Sequence, residues 1–149
     1  MPDAVSDAEV IMKISKVMSR NVAVTSPDAT LKEAAELMRD RKIGFLPVLR
    51  HDSVIGVVTD RDIVIRSICD GLDPETTKVS DVMTRSSFQC YDDQVLTDAV
   101  RIFTLNRVRR LLVINRDKKL VGLLSLDDLA AKMSSDRLLG TVVRGVVAA

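Results

Sequence analysis

Two hydroxyl and carboxylate pairs are the residues of this chain best suited to chemistry. Thr59 and Asp62 follow Gly56-Val57-Val58, and Ser125 and Asp128 follow Gly122-Leu123-Leu124, with the same spacing in both places. A carboxylate beside a hydroxyl can accept two sugar hydroxyls, which is how dinucleotide-binding folds hold a ribose. A strand that turns through Thr59 into a helix beginning near Asp60 also points unpaired N–H groups and a positive dipole end at whatever lies beyond the turn, which favours anions. Gly56 admits the close approach of a backbone or a flat ligand. The same residues form [Ser/Thr]-x-x-[Asp/Glu] capping boxes, which need do no more than start helices. Two copies in register, each behind a glycine and two apolar residues, point to a ligand site.

The repetition extends past these motifs. Val17-Met18-Ser19-Arg20 is answered by Val82-Met83-Thr84-Arg85, and Leu31, Ala34 and Met38 by Leu96, Ala99 and Phe103. The offset is 65 residues there and 66 at the glycines, so one residue is inserted around Asn115 to Lys119, where a polar turn tolerates it. That period exceeds the unit of common solenoids and implies a tandem pair of subdomains. A half of roughly 60 residues is marginal alone, so the halves are expected to share a core.

The elements that must position the pairs are legible in outline. Val10, Ile11, Ile14, Val17 and Met18 have helical spacing behind Asp7, predicting a short entry helix over residues 7–18, with 1–16 as the segment ahead of the first repeat. Asn21 to Thr25 reads as a strand broken by Ser26-Pro27-Asp28. Thr30-Leu31-Lys32-Glu33 is a capping box ahead of an amphipathic helix to about Arg41. Phe45 to Leu49 and Val54 to Val58 read as strands, and Asp60 to Ser67 as a closing helix. The order is strand, helix, strand, strand, helix over residues 17–69, then a Gly/Pro-containing linker at 70–78, then the same order over 79–133. The tail, 134–149, carries Val142, Val143, Val146 and Val147, which suit either a subunit contact or a loose end.

Composition narrows the function classes. The 149 residues are 46% hydrophobic and 29% charged with a formal net charge of +1, as in an ordinary globular protein. No sign of charge dominates, so bulk attraction to nucleic acid or anionic lipid is not indicated, and 3% aromatics with no Trp offer few stacking platforms. Apolar runs are too short to span a membrane, and the acidic Met1-Pro2-Asp3 lacks a signal peptide's basic region, so a cytoplasmic location is expected. A single histidine, His51, and two separated cysteines, Cys69 and Cys90, build neither a structural zinc site nor a histidine triad. Both thiols are expected to be buried as small apolar groups. The methionines read as core filler, and Asp92-Asp93 and Asp127-Asp128 as acids at helix starts.

The combination of Gly-x-x-Thr-x-x-Asp and Gly-x-x-Ser-x-x-Asp, the Val-Met-Ser-Arg and Val-Met-Thr-Arg openings, Pro27-Asp28-Ala29-Thr30-Leu31-Lys32-Glu33-Ala34-Ala35 and Gly44-Phe45-Leu46-Pro47-Val48 resembles the tandem CBS domain pair, or Bateman module, over about residues 15 to 133. Thr59-Asp60-Arg61-Asp62-Ile63 is similar to the small stand-alone bacterial members. The resemblance implies an α/β (α+β) fold of two pseudo-twofold-related β-α-β-β-α units packed through their sheets. It also implies clefts for adenosine-containing ligands: AMP, ADP, ATP, S-adenosylmethionine or NAD.

Carried over residue by residue, the resemblance puts Thr59 and Asp62 in one cleft with Ser87, Phe88, Arg109 and Arg110. It puts Ser125 and Asp128 in the other with Val22, Ala23, Gly44 and Phe45. Arg109 and Arg110 suit phosphate, so the Asp62 cleft is expected to take phosphorylated ligands and the Asp128 cleft to bind weakly or to prefer an uncharged adenosine group. Leu112 stands where the family usually has the proline that Pro47 supplies in the first unit. The implied function is a non-catalytic regulatory module, a homodimer that signals to a separate effector protein. No catalytic residue, resident cofactor or protein-held metal is expected, and Mg²⁺ would come with a bound nucleotide. The alternative is a protein- or nucleic-acid-interaction module in which the repeated motif is structural.

Overall fold

The computed structural model describes residues 11–133 and 136–147. Its α+β chain divides into two compact units: Ala23–Ser87, called the first unit, and the described residues up to Val22 together with the described residues from Phe88 onward, the second. Sequence repeats and compact units are therefore cut differently. The Val17-Met18-Ser19 opening packs with the second motif, and Val82-Met83-Thr84 with the first.

In the first unit, helix α1 (Leu31–Arg41) starts on a complete capping box: Thr30 Oγ1 accepts from the Glu33 amide at 3.1 Å, and Glu33 accepts from the Thr30 amide at 2.8 Å. Lys42, at φ 55°, ends it in the left-handed region. Strands β1 (Phe45–Arg50) and β2 (Ser53–Thr59) form an antiparallel hairpin whose two turn residues, His51 and Asp52, both have positive φ, as a tight hairpin requires. Helix α2 (Asp60–Ile63) runs on as a wider π-helical turn, Val64–Ile68. A short helix, α3 (Val79–Val82), precedes Thr84, which bridges to Val57 of β2. Leu31, Ala34, Met38, Leu46, Val48, Val58, Val79, Val82 and Met83 form this unit's core.

The second unit holds β3 (Gln89–Tyr91), α4 (Leu96–Asn106), β4 (Arg110–Ile114), β5 (Leu120–Ser125), α5 (Leu126–Lys132) and α6 (Asp136–Val147). Its sheet has the order β3-β4-β5, parallel then antiparallel. The β4–β5 turn leaves three residues between Asn115 and Lys119 where the first hairpin has two, and Lys118 takes the left-handed conformation; the repeat offset changes at this turn. Ile14, Val17, Leu96, Ala99, Phe103, Leu111, Val113, Leu124 and Leu129 anchor the core.

Three expectations are corrected. The leading helix is a single 3₁₀ turn, Ile14–Lys16, whose start is fixed by Ile14 and Ser15 amides donating to Gln94 and Asp92 carbonyls; the part predicted before residue 11 lies outside the described residues. The strand at 21–25 shrinks to one parallel bridge, Thr25 to Val48. Its counterpart β3 is secured by the Leu112 amide donating to Phe88 at 3.0 Å, a bond that Pro47, lacking an N–H, cannot make in the first unit. Cys69 is exposed just past the π turn, whereas Cys90 is buried, its thiol pushed up to about 12 by desolvation.

The tail residues 136–147 are helical as α6, whose Val142 and Val146 enter the second unit's core. Gly145 lies so close to Thr104 of α4 that a Cβ there would stand 2.8 Å from the threonine methyl.

Candidate functional site

Each hydroxyl and carboxylate pair sits where a strand becomes a helix. In the first unit Thr59 closes β2 in an extended conformation, and its Oγ1 accepts from the Asp62 amide at 3.1 Å. Asp62 Oδ2 accepts from the Thr59 amide at 2.9 Å. That reciprocal box fixes the carboxylate, whose side chain is 16% exposed, and leaves Oδ1 facing Arg66 Nη2 at 3.8 Å. Among the described residues, Asp62 accepts no other hydrogen bond. Arg66 Nη1 donates to the Val82 and Met83 carbonyls at 2.8 and 3.2 Å. Beyond the helix start, Asp60, Arg61, Val64 and Ile65 line an open concavity of about 320 Å³.

The second unit repeats the box and adds to it. Ser125 Oγ accepts from the Asp128 amide at 3.1 Å, while Asp128 Oδ2 accepts from both the Ser125 amide and the Ser125 hydroxyl at 2.8 Å. Asp128 Oδ1 accepts from the Ser19 hydroxyl, also at 2.8 Å. Lys132 Nζ donates to the Val17 carbonyl at 2.9 Å. Arg66 and Lys132, each four residues past its motif aspartate, thus hold the carbonyls of the two Val-Met openings.

The motif glycines are explained by close packing within each unit. A Cβ at Gly56 would collide with the Thr84 carbonyl oxygen, which accepts from the Val57 amide at 2.9 Å. One at Gly122 would meet the Met18 thioether and stand 3.0 Å from the Ser19 carbonyl oxygen. Such a glycine admits a backbone or a flat ligand; at Gly56 the Thr84 backbone occupies the place, and at Gly122 the Met18 side chain does, with the Ser19 backbone just behind it.

The other expected site residues divide evenly. Ala23, Gly44, Phe45, Thr59, Asp62 and Ser87 belong to the first unit, and Val22, Phe88, Arg109, Arg110, Ser125 and Asp128 to the second. Within the units, register makes Phe45 the partner of Thr59 and Arg110 the partner of Ser125. The Gly44 carbonyl accepts from the Asp60 amide at 3.0 Å, and the Arg109 carbonyl from the Leu126 amide at 3.2 Å, tying each preceding loop to its helix start. Phe88 is 46% exposed, and both Arg109 and Arg110 are exposed. Sequence reasoning missed Ser19, Arg66 and Lys132. A basic residue four places after each motif aspartate was the available signal for the last two.

Of the acidic pairs, Asp128 caps α5, whereas Asp92 and Asp93 lie in the turn ahead of α4 and not at its start, which Val95 forms. Asp93 makes a two-pronged ion pair with Arg116 at 2.8 Å on both oxygens, which lowers its pKa. Arg116 and Lys118 also cover the Tyr91 ring, at 3.9 and 4.6 Å from its centre. Among the described residues, no group of three or more His, Cys, Asp or Glu could hold a metal ion, and no helix is long and apolar enough to cross a membrane.

The profile of the CBS domain matches the chain twice, over residues 14–68 and 79–135, once for each motif. The chain belongs to the CBS domain family. The CBS domain-containing protein YhcV of Bacillus subtilis is 32% identical over 133 residues, covering 89% of this chain and 94% of that one. The crystal structure of Hypoxic Response Protein I, described with two coordinated zinc ions, superposes with a TM-score of 0.73 at 29% identity, over 82% of this chain and 99% of that one. The CBS domain pair of protein MJ0100, described in complex with 5'-methylthioadenosine and S-adenosyl-L-methionine, shares the fold at a TM-score of 0.69 and 17% identity, over 81% and 94% of the two chains. As a CBS pair, the chain carries a regulatory type of module.

Proposed function

We propose that this CBS pair is a non-catalytic regulatory module binding adenosine-containing ligands, with AMP, ADP and ATP as the leading candidates and S-adenosylmethionine and NAD in the same class. Thr59 with Asp62 holds one ribose, and Ser125 with Asp128 a second. Val22, Ala23, Gly44, Phe45, Ser87 and Phe88 serve the bases, while Arg109 and Arg110 serve phosphate, with Mg²⁺ arriving on the nucleotide. One observation carries the reading: in both units the strand-end amide holds one oxygen of the motif carboxylate at 2.8 to 2.9 Å. That fixes the carboxylate in place to accept a sugar hydroxyl without an ordering cost on binding. The adenosine compounds described with MJ0100 support the ligand class. Self-association as a homodimer and signalling to a separate effector protein complete the proposal; exposed Val64, Ile65 and Ile68 on the first unit support the former.

A second reading has its own observation. Every motif residue already has a structural task, the hydroxyl and carboxylate as caps and the glycine as a close-packing position. On that reading the chain is a protein- or nucleic-acid-interaction module. Thermal unfolding with AMP, ADP, ATP, S-adenosylmethionine, NADH and adenosine, with and without Mg²⁺, separates the two. A ligand at 100 times its Kd should add about 2.7 kcal/mol of stability, several degrees in a protein of this size. A rise lost in Asp62→Ala or Asp128→Ala supports the sensor, and no rise with any compound supports the interaction module.

A further inference from the structure

We propose that Ser19 determines what the Asp128 carboxylate can accept, and so makes the two motifs unequal although their own residues match. The inference rests on the ribose-holding reading of Asp128. A carboxylate offers about four acceptor positions. At Asp128 three are filled, by the Ser125 amide, the Ser125 hydroxyl and the Ser19 hydroxyl. At Asp62 one is filled, by the Thr59 amide, with Arg66 at 3.8 Å beyond hydrogen-bond distance. A ribose cis-diol that donates both hydroxyls needs two positions. Asp62 has room for it, and Asp128 has to release a bond first.

Ser19 is the partner that yields. The Ser125 amide is fixed by the strand end, and the Ser125 oxygen is held by the Asp128 amide. The Ser19 hydroxyl is exposed and turns about a single bond. Its position is set by the main chain, since Ser19 and Leu123 exchange both N–H to carbonyl bonds at 2.9 Å. Thr84, at the corresponding place in the first unit, makes the same two bonds with Val57 but none to Asp62 among the described residues. The main-chain docking is common to both units, and the hydroxyl contact is particular to the second.

The test is calorimetric titration of adenosine into the full chain carrying Asp62→Ala, which leaves the Asp128 motif to be read alone. Adding Ser19→Ala should tighten binding roughly tenfold, since a hydrogen bond to a charged group no longer has to be released. Ser19→Thr keeps the donor and should restore the weaker affinity. The gain should be smaller for 2'-deoxyadenosine, whose single remaining ribose-ring hydroxyl fits the one open position. Unchanged or weaker adenosine binding in Ser19→Ala overturns the inference while the ribose reading stands. Adenosine binding that is absent with and without Ser19→Ala, or indifferent to Asp128→Ala, overturns the ribose reading of this motif and the inference with it. Without ligand, Ser19→Ala should speed amide exchange at Leu123 several-fold in a chain that keeps its circular dichroism spectrum; unaltered protection counts against the contact.

Discussion

The guanidinium of Arg66 donates to the Val82 carbonyl oxygen at 2.8 Å, across 16 residues of sequence. Lys132 does the same for Val17 at 2.9 Å across 115 residues. Each bond ties the helical segment that begins with a motif aspartate in its first turn to the opening segment docked on the neighbouring strand. Arg66→Ala and Lys132→Ala should each cost about 1 kcal/mol in urea unfolding, below the usual range for charged hydrogen bonds because both side chains reach solvent. Amide exchange should quicken at Thr84 in the first variant and at Ser19 in the second. Loss of stability without faster exchange at those amides would show that the bonds do not hold the openings.

Gly56 and Gly122 occupy equal places but face different neighbours. An alanine methyl at Gly56 meets a backbone carbonyl, that of Thr84, which moves only if the Val57–Thr84 bridge opens. At Gly122 it meets first the Met18 thioether, a side chain with rotamers to spare, and then the Ser19 carbonyl oxygen at 3.0 Å. Both substitutions should destabilise within the range of about 1 to 3 kcal/mol typical of overpacking, with Gly56→Ala the more costly. Equal costs in parallel unfolding curves would mean that the thioether has no room to move.

Both hairpins and the capping boxes at Thr30, Thr59 and Ser125 were legible because their partners lie within a few residues of each other. The openings were legible as repeats, but not as exchanged between compact units, since their pairing to Val57 and Leu123 is long-range. The Pro47 and Leu112 difference was visible, yet its effect falls in the first unit, where the missing amide shortens a strand. The helix at 136–147 escaped because two glycines interrupt its apolar pattern, and Gly145 is there to let α6 close on α4. Ser19 looked like part of an opening tetrapeptide, and nothing local marks its reach to Asp128.

The two thiols should differ in reactivity. Cys69 is exposed, and Cys90 is buried with its thiol pushed up to about 12. A thiol in that range holds almost no thiolate at pH 8, the reactive form. A disulfide reagent at pH 8 should therefore label one cysteine quickly in the native chain and two in denaturant. Fast labelling of both in native buffer would mean that β3 opens readily.

Tyr91 is the chain's single tyrosine and there is no Trp, so ultraviolet absorbance reports it alone. The hydrogen bond from Lys118 lowers its pKa, with Lys118 and Arg116 charges adding in the same direction. Titration should run below the usual value near 10 and return towards it in Lys118→Met. The sign follows from linkage: a depressed folded-state pKa adds stability above the unfolded value and loses it as pH falls through the folded one. The contact therefore favours the native state in alkali and adds nothing by this route at neutral pH. An unchanged titration in Lys118→Met would remove the ammonium as its cause.

Arg110 is the sharpest test of how charge is shared. It faces Ser125 in the β4–β5 register, while Phe45 holds the same place opposite Thr59. If Arg110 serves phosphate, Arg110→Ala should weaken AMP binding about tenfold, the scale of one charge-assisted contact, and leave adenosine unchanged. Repeating the comparison in Asp62→Ala and in Asp128→Ala assigns the phosphate to a ribose motif, because the AMP penalty survives only where the motif that Arg110 serves is intact. A penalty confined to Asp128→Ala chains supports the expected pairing of Arg110 with Asp62. One confined to Asp62→Ala chains moves phosphate recognition to the cross-strand neighbour. Equal losses for AMP and adenosine would make Arg110 a structural residue and remove the phosphate argument.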